Sequence, residues 1–151
     1  MFSFFSIPDQ TIFTVLAGTI LPISISITAI IISIITAQKS ESNFVYSSLD
    51  KMYTELMKTG VDNPDFRDPQ KTSNYKTAFT DARLFAYESY AFMAINLAAT
   101  AHDRYKKVHD TWNTIIRLET DLHRAWFYDN SHKFKSEFVE FIKHIDAGAA
   151  K

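Results

Sequence analysis

Hydrophobic and polar positions along this chain follow two regimes. From residue 10 to residue 38 there is no charge, and residues 11–37 (TIFTVLAGTILPISISITAIIISIITA) are mostly Ile, Leu, Val, Ala and hydroxyl residues. At 1.5 Å per residue such a helix reaches about 40 Å, more than the roughly 30 Å of a bilayer's hydrocarbon core. The pattern therefore predicts one transmembrane helix over 11–37, behind a short tail at 1–10. A cleaved signal peptide is the rival, with Ile35-Thr36-Ala37 as a small-residue cleavage site. Such peptides open on a basic stretch and carry an apolar run of about 7–15 residues. Here the start reads MFSFFSIPDQ, without Lys or Arg, and the run is nearly twice that long.

Beyond Lys39 the apolar residues recur at helical spacing. Val45, Leu49, Met52 and Leu56 mark a helix over 44–59, and nothing between Gln38 and Phe44 forces a stop before it. Residues 60–73 (GVDNPDFRDPQKTS) hold two of the four prolines and read as a loop, with Gly60 ending the helix before it. Residues 75–105 lack Gly and Pro and place Leu84, Phe85, Glu88, Ala91, Phe92, Ile95 and Ala98 on one face. After a break at 106–109, a helix over 110–126 carries Trp112, Ile115, Ile116, Leu122 and Trp126. A last one over 131–145 aligns Phe134, Phe138, Phe141, Ile142 and Ile145. The predicted fold is all-α: the membrane helix, then an antiparallel bundle of about four helices at 38–146, then a frayed tail at 147–151.

Within the apolar span, Thr19, Pro22, Ser26, Ala29, Ser33 and Thr36 follow one another at steps of three and four and form one stripe of small and hydroxyl residues. Lipid offers helices no hydrophobic reason to associate, and small residues with hydroxyls are what intramembrane contacts use. The stripe predicts a partner helix; the alternative is that the hydroxyls bond back to their own helix and face lipid. Pro22 lacks an amide donor and is expected to kink the span, with Thr19 or a neighbour satisfying the carbonyl it releases.

Charge sets orientation and excludes some partners. Lys39 and Lys51 lie within the counting window after the span and only Asp9 lies before it, which places the C-terminal part in the cytoplasm. Of the 17 acids, Asp9 stands alone before the span, leaving 16 against the 16 bases beyond it. That balance, with no basic run, argues against nucleic acid as a partner. The absence of cysteine removes disulfides, thiolate metal sites and cysteine nucleophiles.

Chemistry is sought among polar residues on apolar stripes. Glu88 and Asn96 on the second exposed helix, with Glu119 and His123 on the third, qualify. Glu119 and His123 are four apart and share a face, and a buried Glu119 needs a partner, for which His123, Arg83, Arg117 and Arg124 are in view. The four residues read either as a ligand pocket or, more simply, as a satisfied polar network that fixes helix register. In the loop, Arg67 between Asp65 and Asp68 offers a planar fork of donors to a partner, or else bonds locally to lock the turn. Tyr75, Tyr87, Tyr90, Tyr105, Trp126, Phe127 and Tyr128 are core or an aromatic contact surface. No metal site is predicted: Glu119/His123 and Glu140/His144 lack the i, i+3 spacing of di-iron bundles, and His102, His109 and His132 read as solvated. With no catalytic constellation and no phosphate loop, no catalytic residue and no cofactor are predicted.

The segments NPDFRDP, YESYAFMAINLAATAHDRY, TWNTIIRLETDLHRAW and FKSEFVEFIKHI resemble, over about residues 44–145, small uncharacterised prokaryotic single-pass membrane proteins with a C-terminal helical domain. The most specific pieces are Asn63-Pro64 with Arg67, Asp103-Arg104, and Leu122-His123 before Trp126; Ala99 stands where such relatives would carry an acid. The resemblance implies architecture and no activity. The expectation is thus a non-enzymatic subunit that scaffolds a larger membrane assembly, partnered by other transmembrane chains or, alternatively, by copies of itself. The other readings are a homo-oligomeric sensor binding a small ligand near Glu119, and an enzyme of unrecognised type.

Overall fold

The computed structural model describes Thr14, Gly18 and residues 21–104 and 110–149; the tail at 1–10, Thr19, Tyr105 and the break read at 106–109, with His109, lie outside the described residues. Every described element is an α-helix or a short 3-10 turn. The chain divides into two compact units, Met1–Phe44 and Val45–Lys151.

The first unit holds the N-terminal part of α1 (Leu21–Asp62), which runs on without interruption through 38–43. From Pro22 to Phe44 each residue is exposed, including the predicted stripe positions Pro22, Ala29, Ser33 and Thr36. The Ser26 hydroxyl donates to the Pro22 carbonyl at 2.8 Å and Thr28 to Ser24 at 2.8 Å, so these hydroxyls bond back within the helix.

In the second unit α1 ends three residues later than the sequence implied. Gly60 lies inside the helix without a positive φ. Its role is room: a Cβ there would stand 2.6 Å from Arg67 Cδ and 2.7 Å from the Tyr90 hydroxyl. What stops the helix is Pro64, which pushes Asn63 out of the helical region (φ −132°, ψ 69°). The supposed loop 60–73 is then largely helical, as a 3-10 turn at Pro64–Arg67 and α2 at Pro69–Ser73. Asp68 is extended before Pro69 and caps α2 by accepting from the Gln70 amide at 2.9 Å.

The single helix expected over 75–105 is two: α3 (Tyr75–Ala78) and α4 (Asp81–Arg104). Phe79 leaves the helical region (φ −118°, ψ 143°) and Asp81 takes φ 48°. The Phe79 ring is thereby buried, stacked on Tyr87 with centroids 4.6 Å apart and edge-on to Phe66. Tertiary burial here overrides a locally unbroken helical pattern. His123 likewise separates α5 (Asp110–Leu122) from α6 (Arg124–Asp129), which the sequence joined. A 3-10 turn at Ser131–Lys133 precedes α7 (Ser136–Ala149), which reaches into the tail read as frayed.

Helix α4 is the hub, packed by α5, α6 and α7, with α2 against α5 and α6. Tyr87, Tyr90, Ala91, Ala94, Ile95, Leu97, Ala98 and Ala101 are its buried residues. The alanines lower the surface so that neighbours approach closely. The predicted face was off by part of a turn: Ala91, Ile95 and Ala98 are inside, but Phe85 and Phe92 are exposed, and Tyr87 and Tyr90 take the inner positions. Met52 of α1 is exposed too, while Leu49 and Leu56 are buried and Tyr53 is half-buried against Trp112. Trp112, Ile116, Trp126, Phe127, Phe138 and Ile142 complete the core, and Tyr75 is buried where Tyr128 is exposed.

Candidate functional site

Charged and polar groups converge at the centre of the second unit. Glu119 is carried inward by α5 because Trp112, Ile116 and His123 occupy the same buried stripe. Its partner is Arg67, projected inward by the Pro64–Arg67 turn. Arg67 Nη2 donates to Glu119 Oε1 at 3.0 Å and Nη1 to Oε2 at 3.1 Å, the two-pronged geometry in which a guanidinium binds a carboxylate most strongly. Tyr53 of α1 donates to Oε1 at 3.2 Å, and Arg67 Nη1 also donates to the Tyr90 hydroxyl at 3.0 Å. The Glu119 carboxylate thus joins α1, the turn and α5, and Arg67 extends the network to α4.

Electrostatics follow from this packing. Burial, then the neighbouring carboxylate, pushes the Tyr53 phenol up to about 12. Burial also raises Tyr90 and Tyr87, so the ring of phenols stays protonated and able to donate. Burial alone would lower the Arg67 guanidinium, but its bonds to Glu119 and Tyr90 outweigh that and raise it. His123 is fully buried, and burial followed by the Arg67 charge lowers it to about 3, leaving a neutral imidazole. Its Nδ1 lies 3.2 Å from the Tyr87 hydroxyl. Its Nε2 is 3.8 Å from Glu119 Oε2 and has no hydrogen-bond partner among the described residues.

Of the four predicted network residues the structure brings together two. Glu119 and His123 meet; Glu88 is half-buried beside an outer cavity of α4, and Asn96 is exposed on the rim of another. Both follow from the shifted phase of α4. The partner candidates Arg83 and Arg124 are engaged elsewhere. Arg83 pairs with Asp65, donates to Asn63 Oδ1 at 2.8 Å and lies over the Phe66 ring at 4.2 Å. Arg124 binds Asp121 and Asp146, and Arg117 is exposed. The loop trio Asp65, Arg67 and Asp68 therefore divides its work: an outer ion pair, an inner clamp and a helix cap.

Sequence reasoning missed Arg67 as the partner, together with Tyr53, Tyr87 and Tyr90 as hydroxyl groups of the site. The one available signal was an arginine in a turn between two prolines. His102, read as solvated, is half-buried with its ring 4.5 Å from that of Phe141; His132 is exposed. Asp103 pairs with Lys135, which lowers its carboxyl, and Tyr75 and Lys76 both hold Asp129. Among the described residues no group of three or more His, Asp or Glu side chains is placed to hold a metal ion.

Two cavities open on the outer side of α4. One of about 490 Å³ runs between α1 and α4, lined by Ser48, Met52, Glu55, Phe92, Met93 and Asn96 among others. The second, about 340 Å³, is lined by Phe85, Glu88, Ser89, Phe92, Met93, Trp126 and Lys133. No family model, curated protein or solved structure matches this chain.

Proposed function

We propose that this chain is a single-pass membrane protein, anchored by α1, whose antiparallel helical bundle faces the cytoplasm and serves as a non-catalytic scaffolding subunit of a larger membrane assembly. One observation carries the anchor. Ile23, Ile25, Ile27, Ile30, Ile31, Ile32, Ile34 and Ile35 are all more than half exposed on a helix of which no part of the apolar window is buried. Leaving eight such side chains in water forgoes on the order of 10–20 kcal/mol, as much as the whole stability of a domain. A bilayer removes that cost. The same observation weighs against a soluble core helix, which would be covered.

The scaffolding role is supported by how the central polar groups are used. Both oxygens of Glu119 are held by Arg67 and Tyr53, which favours a network that fixes helix register over a ligand pocket. Extraction of native membranes at alkaline pH tests the anchor. The chain is expected in the pellet and in solution only with detergent; release into the aqueous fraction overturns the reading. Recovery with different membrane chains in fixed ratio, after gentle detergent, tests the scaffold.

A further inference from the structure

Phe85, Glu88, Ser89 and Phe92 recur at i, i+3, i+4 and i+7 along α4, so one ring stands a turn before a carboxylate and another a turn after it on the same face. These four side chains line the cavity of about 340 Å³, which α6 borders with Trp126 and the turn at Ser131–Lys133 borders with Lys133. Phe92 meets Trp126 edge to face, with centroids 6.3 Å apart and ring planes at 71°. Three aromatic residues and one carboxylate thus surround a hollow in the size range of small-molecule sites.

The chemistry of this lining selects a cation. The faces of Phe and Trp rings carry negative potential and attract a cation within about 6 Å of the centroid. One already lies there: Lys133 Nζ is over the Trp126 ring, 5.5 Å from its centroid. Glu88, the acid of the lining, forms neither an ion pair nor a hydrogen bond among the described residues. The kind of cation follows from the acceptors. The side-chain oxygens of the lining belong to Glu88 and Ser89, and the Ser89 hydroxyl donates to the Phe85 carbonyl at 2.9 Å. A primary ammonium brings three N–H donors and a guanidinium five, more than these oxygens satisfy. A quaternary ammonium brings none, and recognition of such cations by aromatic faces is where the cation–π interaction is strongest in use.

We propose that this cavity, between the outer stripe of α4 and Trp126, binds a small quaternary ammonium: a trimethylammonium group set against Phe85, Phe92 and Trp126, with Glu88 as its counter-ion. Lys133 is exposed, and it is the resident cation that the ligand displaces from the Trp126 face. The site lies wholly within the second unit and stands independently of the anchor reading. It accounts for Glu88 standing between exposed phenylalanines without joining the network around Glu119.

Full-length protein in a maltoside detergent is titrated with choline at constant ionic strength, and binding is read by saturation transfer to the N-methyl protons and by tryptophan fluorescence. The uncharged analogue of choline, with carbon in place of nitrogen, and the primary amine ethanolamine are titrated alongside. Choline is expected to bind saturably and about tenfold more tightly than either control. Glu88→Gln is expected to weaken choline several-fold and Lys133→Ala to tighten it several-fold, with the circular dichroism spectrum kept in both. Glycerophosphocholine distinguishes the source of the group: tighter binding than choline assigns it to a lipid headgroup, weaker binding to a free cation. No saturable binding of choline by the natural chain, equal affinity for either control, or an unchanged affinity in folded Glu88→Gln each overturn the proposal. So does weaker binding in Lys133→Ala, which would mark a site for anions instead.

Discussion

Replacing Arg67 by Met tests the centre of the structure most directly. Glu119 is 1% exposed and Arg67 18%, and they are joined by two hydrogen bonds of 3.0 and 3.1 Å. Removing one member of such a pair leaves a buried charge without its counter-ion, which costs about 3–5 kcal/mol. Only Tyr53 would still donate to the carboxylate among its observed partners. Against a total of about 5–15 kcal/mol this is a large fraction. Full-length protein in mild detergent, unfolded with urea and followed by the fluorescence of the buried Trp112 and Trp126, is expected to lose roughly 2 M in its midpoint at an ordinary slope of about 1–3 kcal/mol per M. The double change Arg67→Met with Glu119→Leu separates the pair from its residues. Replacing both charges by apolar groups is expected to restore most of the loss, giving a coupling above about 2 kcal/mol. A cost below about 1 kcal/mol for Arg67→Met, or additive effects in the double variant, would refute the idea that this clamp holds the unit together.

Two other outcomes follow from the same site. His123 is neutral in the fold down to about pH 3, whereas an unfolded histidine takes up a proton near its ordinary value of 6.5. The unfolded state thus binds the extra proton between these limits, and stability falls as pH drops below about 6.5, by up to about 1.4 kcal/mol per pH unit. His123→Gln is expected to flatten this slope between about pH 6 and 5, above the range in which Asp65, Asp103 and Asp129, all held low, take up protons; an unchanged slope in urea midpoints against pH would refute it. Gly60→Ala ordinarily gains about 1 kcal/mol in a helix interior. Here the new methyl meets Arg67 and Tyr90, so a net loss of about 1–2 kcal/mol is expected in the same unfolding assay, and stabilisation would show that the approach is not constrained.

What the sequence disclosed was whatever depends on neighbours in the chain. The uncharged run at 10–38, the doublets Asn63-Pro64 and Asp68-Pro69, and the apolar stripes of α5 and α7 act within a few residues, and the helices follow them. The breaks at Phe79 and His123 were hidden because each is set by a ring seated among distant aromatics, Phe66 and Tyr87 for the first, Tyr87 and Tyr90 for the second. Glu119 and His123 were legible as polar residues on an apolar stripe. Arg67 was not, because it stands 52 residues from Glu119 and its own surroundings in sequence are those of a solvated turn.

The misplaced phase of α4 has a different cause. Periodicity locates a buried face by contrast with a polar one, and from Phe85 to Met93 there is little contrast to find: Phe85, Phe92 and Met93 on one side are as apolar as Tyr87, Ala91 and Ile95 on the other. Ranking by bulk favours the phenylalanines for the core. The structure has the reverse: Tyr90 turns inward, its hydroxyl accepting from Arg67 at 3.0 Å, and so does Tyr87, its hydroxyl 3.2 Å from His123 Nδ1. With the two tyrosines inside, Phe85 and Phe92 lie on the outer face of α4.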